Sequence, residues 1–305
     1  MTTSRGSGCL QGVELTMRDG VRVAVVEPRE SAARAAGQAR RGPFAAAPTC
    51  LALMGFGGWL DSFELQRFVQ LSRRLGARIV VPETPGLGQI ATRLTRRERG
   101  ALLAGDYGVL ARRMLAAAAH ALPADERVHL LGYSMGASIA AAMAACAPDH
   151  FVSLGLVEPV GFRRWNPATL LRAVAVEDAA MDGYLAETYT VPGAVAPTDR
   201  VIGADPPVRN ETDQLLLSSS LCWGRTRAVL GRVARQSPRL PVMIAHGDIS
   251  TLSPLSDVDA LVERLRDAGL EVQDAVLPGG HGLWHSLPRV ERLANEIEMF
   301  WKTAR

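Results

Sequence analysis

The sequence predicts an α/β fold: a mostly parallel sheet with helices on both faces and an inserted helical cap. Three observations carry that expectation. After an opening hairpin, short apolar runs alternate with helical stretches, and parallel neighbours in a sheet need such crossovers. In mid-chain, the apolar run Val128-His129-Leu130-Leu131 meets an Ala-rich helical stretch across Gly132-Tyr133-Ser134-Met135-Gly136. From residue 160 to 238 the alternation stops, giving helical pieces and a turn-rich segment before it resumes. The predicted division is a core domain of residues 1–159 and 239–305, with a helical cap (lid) over 160–238.

Taken in order, residues 13–17 and 21–27 alternate in polarity around Asp19-Gly20, a hairpin signal. Residues 28–48 are rich in Ala, Arg and Gly without periodicity and read as a surface loop. Residues 50–54 form a buried-type strand that runs into Gly55-Phe56-Gly57-Gly58-Trp59. A helix over 61–75 follows, with Asp61 and Glu64 spaced as a capping box. The next strand, 78–81, ends at Pro82-Glu83-Thr84-Pro85-Gly86-Leu87-Gly88, and one long helix is expected over 96–121, weakened in its middle by Gly105 and Gly108. Beyond the central turn, the strand 151–157 is closed by Glu158-Pro159. The cap holds helical pieces near 168–182 and 211–233 and the turn-rich stretch 191–210. A strand at 241–245, a helix at 255–268, a strand at 271–277, the loop 278–287 and a helix from Pro288 complete the pattern.

With 305 residues, 48% of them hydrophobic and 21% charged, the chain can bury a full core as a soluble globular protein. Net charge is only +3, and the clusters Arg96-Arg97-Glu98-Arg99 and Arg163-Arg164 lack the length and interleaved aromatics of a nucleic-acid surface, so no nucleic-acid partner is expected. No run is long enough to span a bilayer and residues 1–10 lack the apolar stretch of a signal peptide, so the expectation is a cytoplasmic protein without a membrane partner. Cys9, Cys50, Cys146 and Cys222 form no C-x-x-C pair, and Cys50 and Cys146 fall on apolar elements as buried thiols. The histidines show no ligand-like spacing, so neither metal nor cofactor is expected.

The chemistry gathers at the G-x-S-x-G turn. Glycines at 132 and 136 let strand and helix approach closely, and Ser134 at the apex would present its hydroxyl clear of the sheet. The Met135 amide would sit at a helix N-terminus, where unpaired N–H groups favour a developing negative charge. A serine hydroxyl needs a base to accept its proton. His281, on a Gly-rich loop after the last strand, is the candidate, with His285 as its rival. His120, His129 and His150 read as structural, and His246 as support for the loop that follows it.

Four motifs then stand in one order: Gly55-Phe56-Gly57-Gly58, Pro85-Gly86-Leu87-Gly88, Gly132-Tyr133-Ser134-Met135-Gly136 and Gly279-Gly280-His281. In that order the chain resembles an α/β-hydrolase over nearly all its length outside the N-terminal loop and the cap. The resemblance implies acyl transfer by a serine nucleophile, with a histidine, an acid and a two-amide oxyanion hole. Pro288, seven residues after His281, fits the family's spacing. The oxyanion hole would use the amides of Phe56 and Met135, although Met54 stands where the family usually has histidine. The acid departs from pattern: in His246-Gly247-Asp248-Ile249-Ser250, Ser250 occupies the usual acid position and Asp248 lies two residues early. Asp248 is the first candidate, and Glu158, after the sixth strand, is the alternative the family also uses.

Trp59, Leu283 and Trp284 flank these groups, as do Phe56 and Met135, and are expected to wall an apolar substrate pocket. The expected function is a serine hydrolase of the esterase or thioesterase kind, cleaving a carboxylic ester, lactone or thioester of a small, partly apolar molecule through an acyl-enzyme on Ser134. A non-hydrolytic enzyme of a biosynthetic pathway (acyl transfer, cyclisation or C–C cleavage) would use the same groups. A catalytically silent ligand-binding protein is the reading from another class.

Overall fold

The computed structural model describes residues 12–28, 47–88, 92–197 and 210–304. The expected loop 28–48 falls almost wholly outside the described residues, as do residues 1–10 with Cys9 and most of the second half of the turn-rich stretch 191–210. The hairpin pairs β1 (Val13–Arg18) with β2 (Val21–Val26). Asp19 and Gly20 both take positive φ, 49° and 69°, the twist a two-residue hairpin loop requires. β3 (Thr49–Leu53), β4 (Arg78–Pro82), β5 (Val128–Tyr133), β6 (Phe151–Val157), β7 (Val242–Gly247) and β8 (Val272–Leu277) complete an eight-stranded sheet in the order β1-β2-β4-β3-β5-β6-β7-β8. It is antiparallel from β1 to β4 and parallel from there on.

Helices cover both faces. α1 (Ser62–Leu75) and α10 (Leu287–Thr303) pack on one side. On the other lie α2 (Arg96–Leu103), α3 (Gly108–Ala118), α4 (Met135–Cys146) and α9 (Leu255–Asp267). β5 shows how one strand serves both layers. Val128 and Leu130 join the α4 side, while Leu131 and Tyr133 join the α1 side, as period-2 alternation demands. Tyr133 is thereby turned towards the loop that follows β8.

Two local expectations are corrected. The helix expected over 96–121 is two helices, α2 and α3, with a short 3-10 turn (Ala119–Ala121) after them. Gly105 between them has φ 71°, and the Trp223 side chain packs where a Cβ would stand, so close contact and left-handed backbone together end α2. The capping box at 61–64 is half formed. Asp61 accepts from the Glu64 amide at 2.8 Å, but the Glu64 carboxylate turns away to take the Trp284 indole N–H at 2.9 Å.

Between β6 and β7 the described chain holds α5 (Pro167–Ala179), α6 (Met181–Tyr189), α7 (Glu211–Leu221) and α8 (Thr226–Gln236). α8 packs against α4 through Leu230 and Val233. α6 lies over the turn after β8 and the start of α10, tied by the Glu187–Arg289 ion pair at 2.6 Å.

Candidate active site

The turn that carries Ser134 is built from backbone contacts. A Cβ at Gly132 would collide with the Gly136 carbonyl, and one at Gly136 would collide with the Leu53 and Met54 carbonyls at the end of β3. Only residues without a side chain let α4 start that close to the sheet. A third glycine does similar work, since a Cβ at Gly55 would meet the Tyr133 ring and the Ser134 Cβ. Ser134 bears the consequence, with φ 57° and ψ −118°, outside the usual regions for a side chain. Such a conformation costs about 1–3 kcal/mol and persists only where the surroundings impose it. The Ser134 amide is pinned to the Val157 carbonyl at 2.8 Å.

Glu158, directly after β6, repeats the device on the neighbouring strand. Its φ is 49°, its amide bonds the Ala245 carbonyl at 2.7 Å, and its side chain is fully buried. The two carry positive φ at the carboxyl ends of adjacent parallel strands, the usual place for a site in a sheet of this kind.

The structure brings Ser134, His281 and Glu158 into one line. His281 Nε2 lies 2.9 Å from Ser134 Oγ, and His281 Nδ1 lies 2.9 Å from Glu158 Oε2. The same Oε2 accepts the Ser250 hydroxyl at 2.7 Å, and Oε1 accepts the Gly247 amide. Asp248 is therefore not the partner of the imidazole. It is exposed at the turn after β7 and accepts the Gly279 amide at 2.7 Å, tying that turn to the loop after β8. Ser250, at the family's usual acid position, holds the carboxylate that came from the other strand. His285 is displaced too: its ring stacks on Phe63, 6.0 Å between centroids. His246 Nε2 lies 3.3 Å from Asp274.

Long-range hydrogen bonds fix His281. Its carbonyl accepts the Tyr133 hydroxyl at 2.7 Å, and its ring stacks on the Tyr133 ring at 5.4 Å. Burial and the negative charge of Glu158 hold the Tyr133 phenol well above its ordinary pKa, so it stays a protonated donor. The His281 amide donates to Glu177 Oε2 at 2.8 Å. The preceding Gly280 amide donates to the Tyr184 hydroxyl at 2.6 Å. The buried Arg67 then takes the carbonyls of Trp284 and His285 at 3.0 and 2.9 Å, closing the 3-10 turn (His281–His285) that holds the imidazole.

Leu283 and Trp284 are core residues, which corrects their expected place in a pocket wall. Trp284 stacks on Tyr133 and lies against Phe68, each at 5.2 Å, with its N–H spent on Glu64; Leu283 is wholly buried in the same cluster. Both side chains join the cluster that packs α1 and α10 on the sheet. Trp59 is buried beside the Gly55–Gly58 turn, and Phe56 in that turn is 44% exposed. Met135 is fully buried as the first residue of α4. Tyr133, Glu177, Tyr184 and Arg67 were missed by sequence reasoning. Tyr133 alone carried a signal, as the residue before the serine in the turn.

The family model for the alpha/beta hydrolase fold matches residues 51–268. A stretch of 118 residues, 38% of this chain, is 36% identical to the dihydrolipoyllysine-residue acetyltransferase component of the acetoin cleaving system of Cupriavidus necator, and spans 28% of that protein. Among solved structures, 2-hydroxy-6-oxo-6-phenylhexa-2,4-dienoate hydrolase from Rhodococcus sp. strain RHA1 superposes with a TM-score of 0.60 at 18% identity, over 95% of this chain and 99% of that one. The thioesterase domain from the curacin biosynthetic pathway superposes with a TM-score of 0.57 at 16% identity, over 93% and 98%. At these identities the structural likeness speaks to fold alone.

Proposed function

The chain belongs to the alpha/beta hydrolase fold family, and from the geometry of its site we propose that it is a serine hydrolase acting on a carboxylic ester, lactone or thioester. The observation that carries the reading is the continuous line Ser134 Oγ, His281 Nε2, His281 Nδ1, Glu158 Oε2, with both links at 2.9 Å. Ser134 Oγ attacks the acyl carbon as His281 Nε2 takes its proton. Glu158 fixes the tautomer and balances the imidazolium charge. The oxyanion is received by the Met135 amide at the α4 N-terminus and the Phe56 amide in the turn beside Ser134. Collapse of that intermediate expels the alcohol or thiol, protonated from Nε2, and leaves an acyl-Ser134. Water, deprotonated by the same nitrogen, attacks the acyl carbon and regenerates the free hydroxyl. Residues 160–238 serve as the cap over this site, with α5 and α6 reaching the histidine turn.

An activated p-nitrophenyl ester tests the reading. The expected result is a burst of one p-nitrophenol per Ser134, absent in Ser134→Ala; turnover that survives the substitution would remove the serine mechanism. A second reading is acyl transfer to a nucleophile other than water, favoured by the stretch shared with the acetyltransferase component. Added thiols or amines that divert acyl product would select it over hydrolysis.

A further inference from the structure

Glu177 lies on α5, outside the Ser134–His281–Glu158 line, and is 6% exposed. Burying a carboxylate is costly unless its oxygens are satisfied. Among the described residues its three hydrogen-bond donors are neutral, and they belong to the two loops that flank the site. Oε2 accepts the His281 amide at 2.8 Å; Oε1 accepts the Thr251 amide at 2.6 Å and the Thr251 hydroxyl at 2.7 Å. Thr251 follows Ser250, whose hydroxyl is bonded to Glu158. One carboxylate therefore spans the loop that carries the base and the loop that steadies the acid. It also sits so close to Gly280 that a Cβ there would strike Oε2, which fixes the approach of the two backbones.

We propose that Glu177 is a positioning residue for His281, so that the base is aligned only when α5 is docked on the core. This rests on the serine-hydrolase reading for its kinetic consequence, while its geometric content does not. A neutral amide at 177 offers one acceptor oxygen in place of two, so Glu177→Gln must release one loop or the other, and it sets an N–H against the donors of the loop it releases.

The test compares wild type, Glu177→Gln, Glu177→Ala and Ser134→Ala as full-length proteins. Two readouts are taken: steady-state hydrolysis of a p-nitrophenyl ester, and the proton NMR signal of the His281 Nδ1–H held by Glu158. The expected result is a kcat in Glu177→Gln about 10–100-fold below wild type with KM changed less than about threefold, since only alignment of the base is lost. The Nδ1–H signal should shift or broaden in Glu177→Gln and stay sharp in Ser134→Ala. A wild-type kcat with an unchanged proton signal overturns the proposal, as does a raised KM with kcat intact, which would make Glu177 a substrate contact. If Glu177→Ala fails to fold, Thr251→Val, which removes one of the bonds, gives a smaller effect of the same sign or counts against the clamp. Ester turnover in Ser134→Ala would end the serine-hydrolase reading, and the proton signal would still decide the clamp.

Discussion

Ser134 and His281 stand 2.9 Å apart, yet the two are held by opposite means. The serine turn is a matter of backbone: Gly132, Gly136 and Gly55 sit where any Cβ would strike main chain or a neighbouring ring, and the strand ladder pins the Ser134 amide. The histidine turn is a matter of side chains from distant elements, with Tyr133, Glu177, Tyr184 and Arg67 taking up its amides and carbonyls. The first region cannot take a side chain at Gly132 or Gly136 without shifting main chain. The second can be loosened one hydrogen bond at a time, so loss of activity and loss of stability should separate there and coincide at the serine turn.

The largest effect should come from the charge at the junction of the two regions. Glu158→Gln leaves packing nearly unchanged but removes the carboxylate from Nδ1, and kcat should fall by about 10³–10⁴-fold, as when a triad carboxylate becomes an amide. Asp248→Asn, by contrast, should leave kcat within about threefold, because its partner is a loop amide. Steady-state kinetics of the pair would reverse the assignment if Asp248→Asn were the damaging one. Next, Gly136→Ala should lower stability by about 3 kcal/mol or more, read by urea titration, with activity falling in step because the clash is with main chain. Stability near wild type would mean that the serine turn is more pliant than its contacts imply.

A smaller and cleaner effect belongs to the histidine turn. Tyr133→Phe keeps the ring stacked on His281 and Trp284 and removes one donor to the His281 carbonyl. Activity should drop about tenfold, worth about 1.4 kcal/mol, with little change in urea midpoint. Equal losses in both would place Tyr133 with the serine turn.

The weakest effect concerns how α6 is fastened to α10. The hydrogen bond from Arg289, ahead of the opposing effect of burial, lowers the Glu187 carboxyl to about 2. A depressed carboxylate contributes stability that is present above its unfolded pKa, near 4.5, and is lost as pH falls through that value towards 2. Glu187 is 38% exposed, and solvent screening limits the contribution to about 1 kcal/mol. Glu187→Gln should therefore flatten the acid side of the stability curve by that amount between pH 4.5 and 2. An unchanged slope would show that this ion pair contributes nothing to docking.

This contrast also explains what could be read in the sequence. The strand–helix alternation, the hairpin at Asp19-Gly20 and the G-x-S-x-G turn are local patterns, and each is where the sequence indicates. Glu158 could be named only as one of two carboxylates, because what decides between them is Ser250, 92 residues away, turning its hydroxyl to Glu158. Tyr133 and Glu177 bond His281 across 148 and 104 positions, a relation no spacing rule carries. Leu283 and Trp284 misled because nearness to His281 along the chain says nothing of what a side chain packs against, and both join the core cluster that holds Tyr133 and Phe68. The broken helix at Gly105 depended on Trp223, from far along the chain, needing room at that point.

The most direct measurement is reaction of the folded protein with a fluorophosphonate, followed by peptide mass spectrometry. A single adduct on Ser134, formed at least about a hundredfold more slowly in His281→Ala, is the result that the serine–histidine–glutamate line requires. No adduct on Ser134 in the folded protein, or labelling at an unchanged rate without His281, would contradict it.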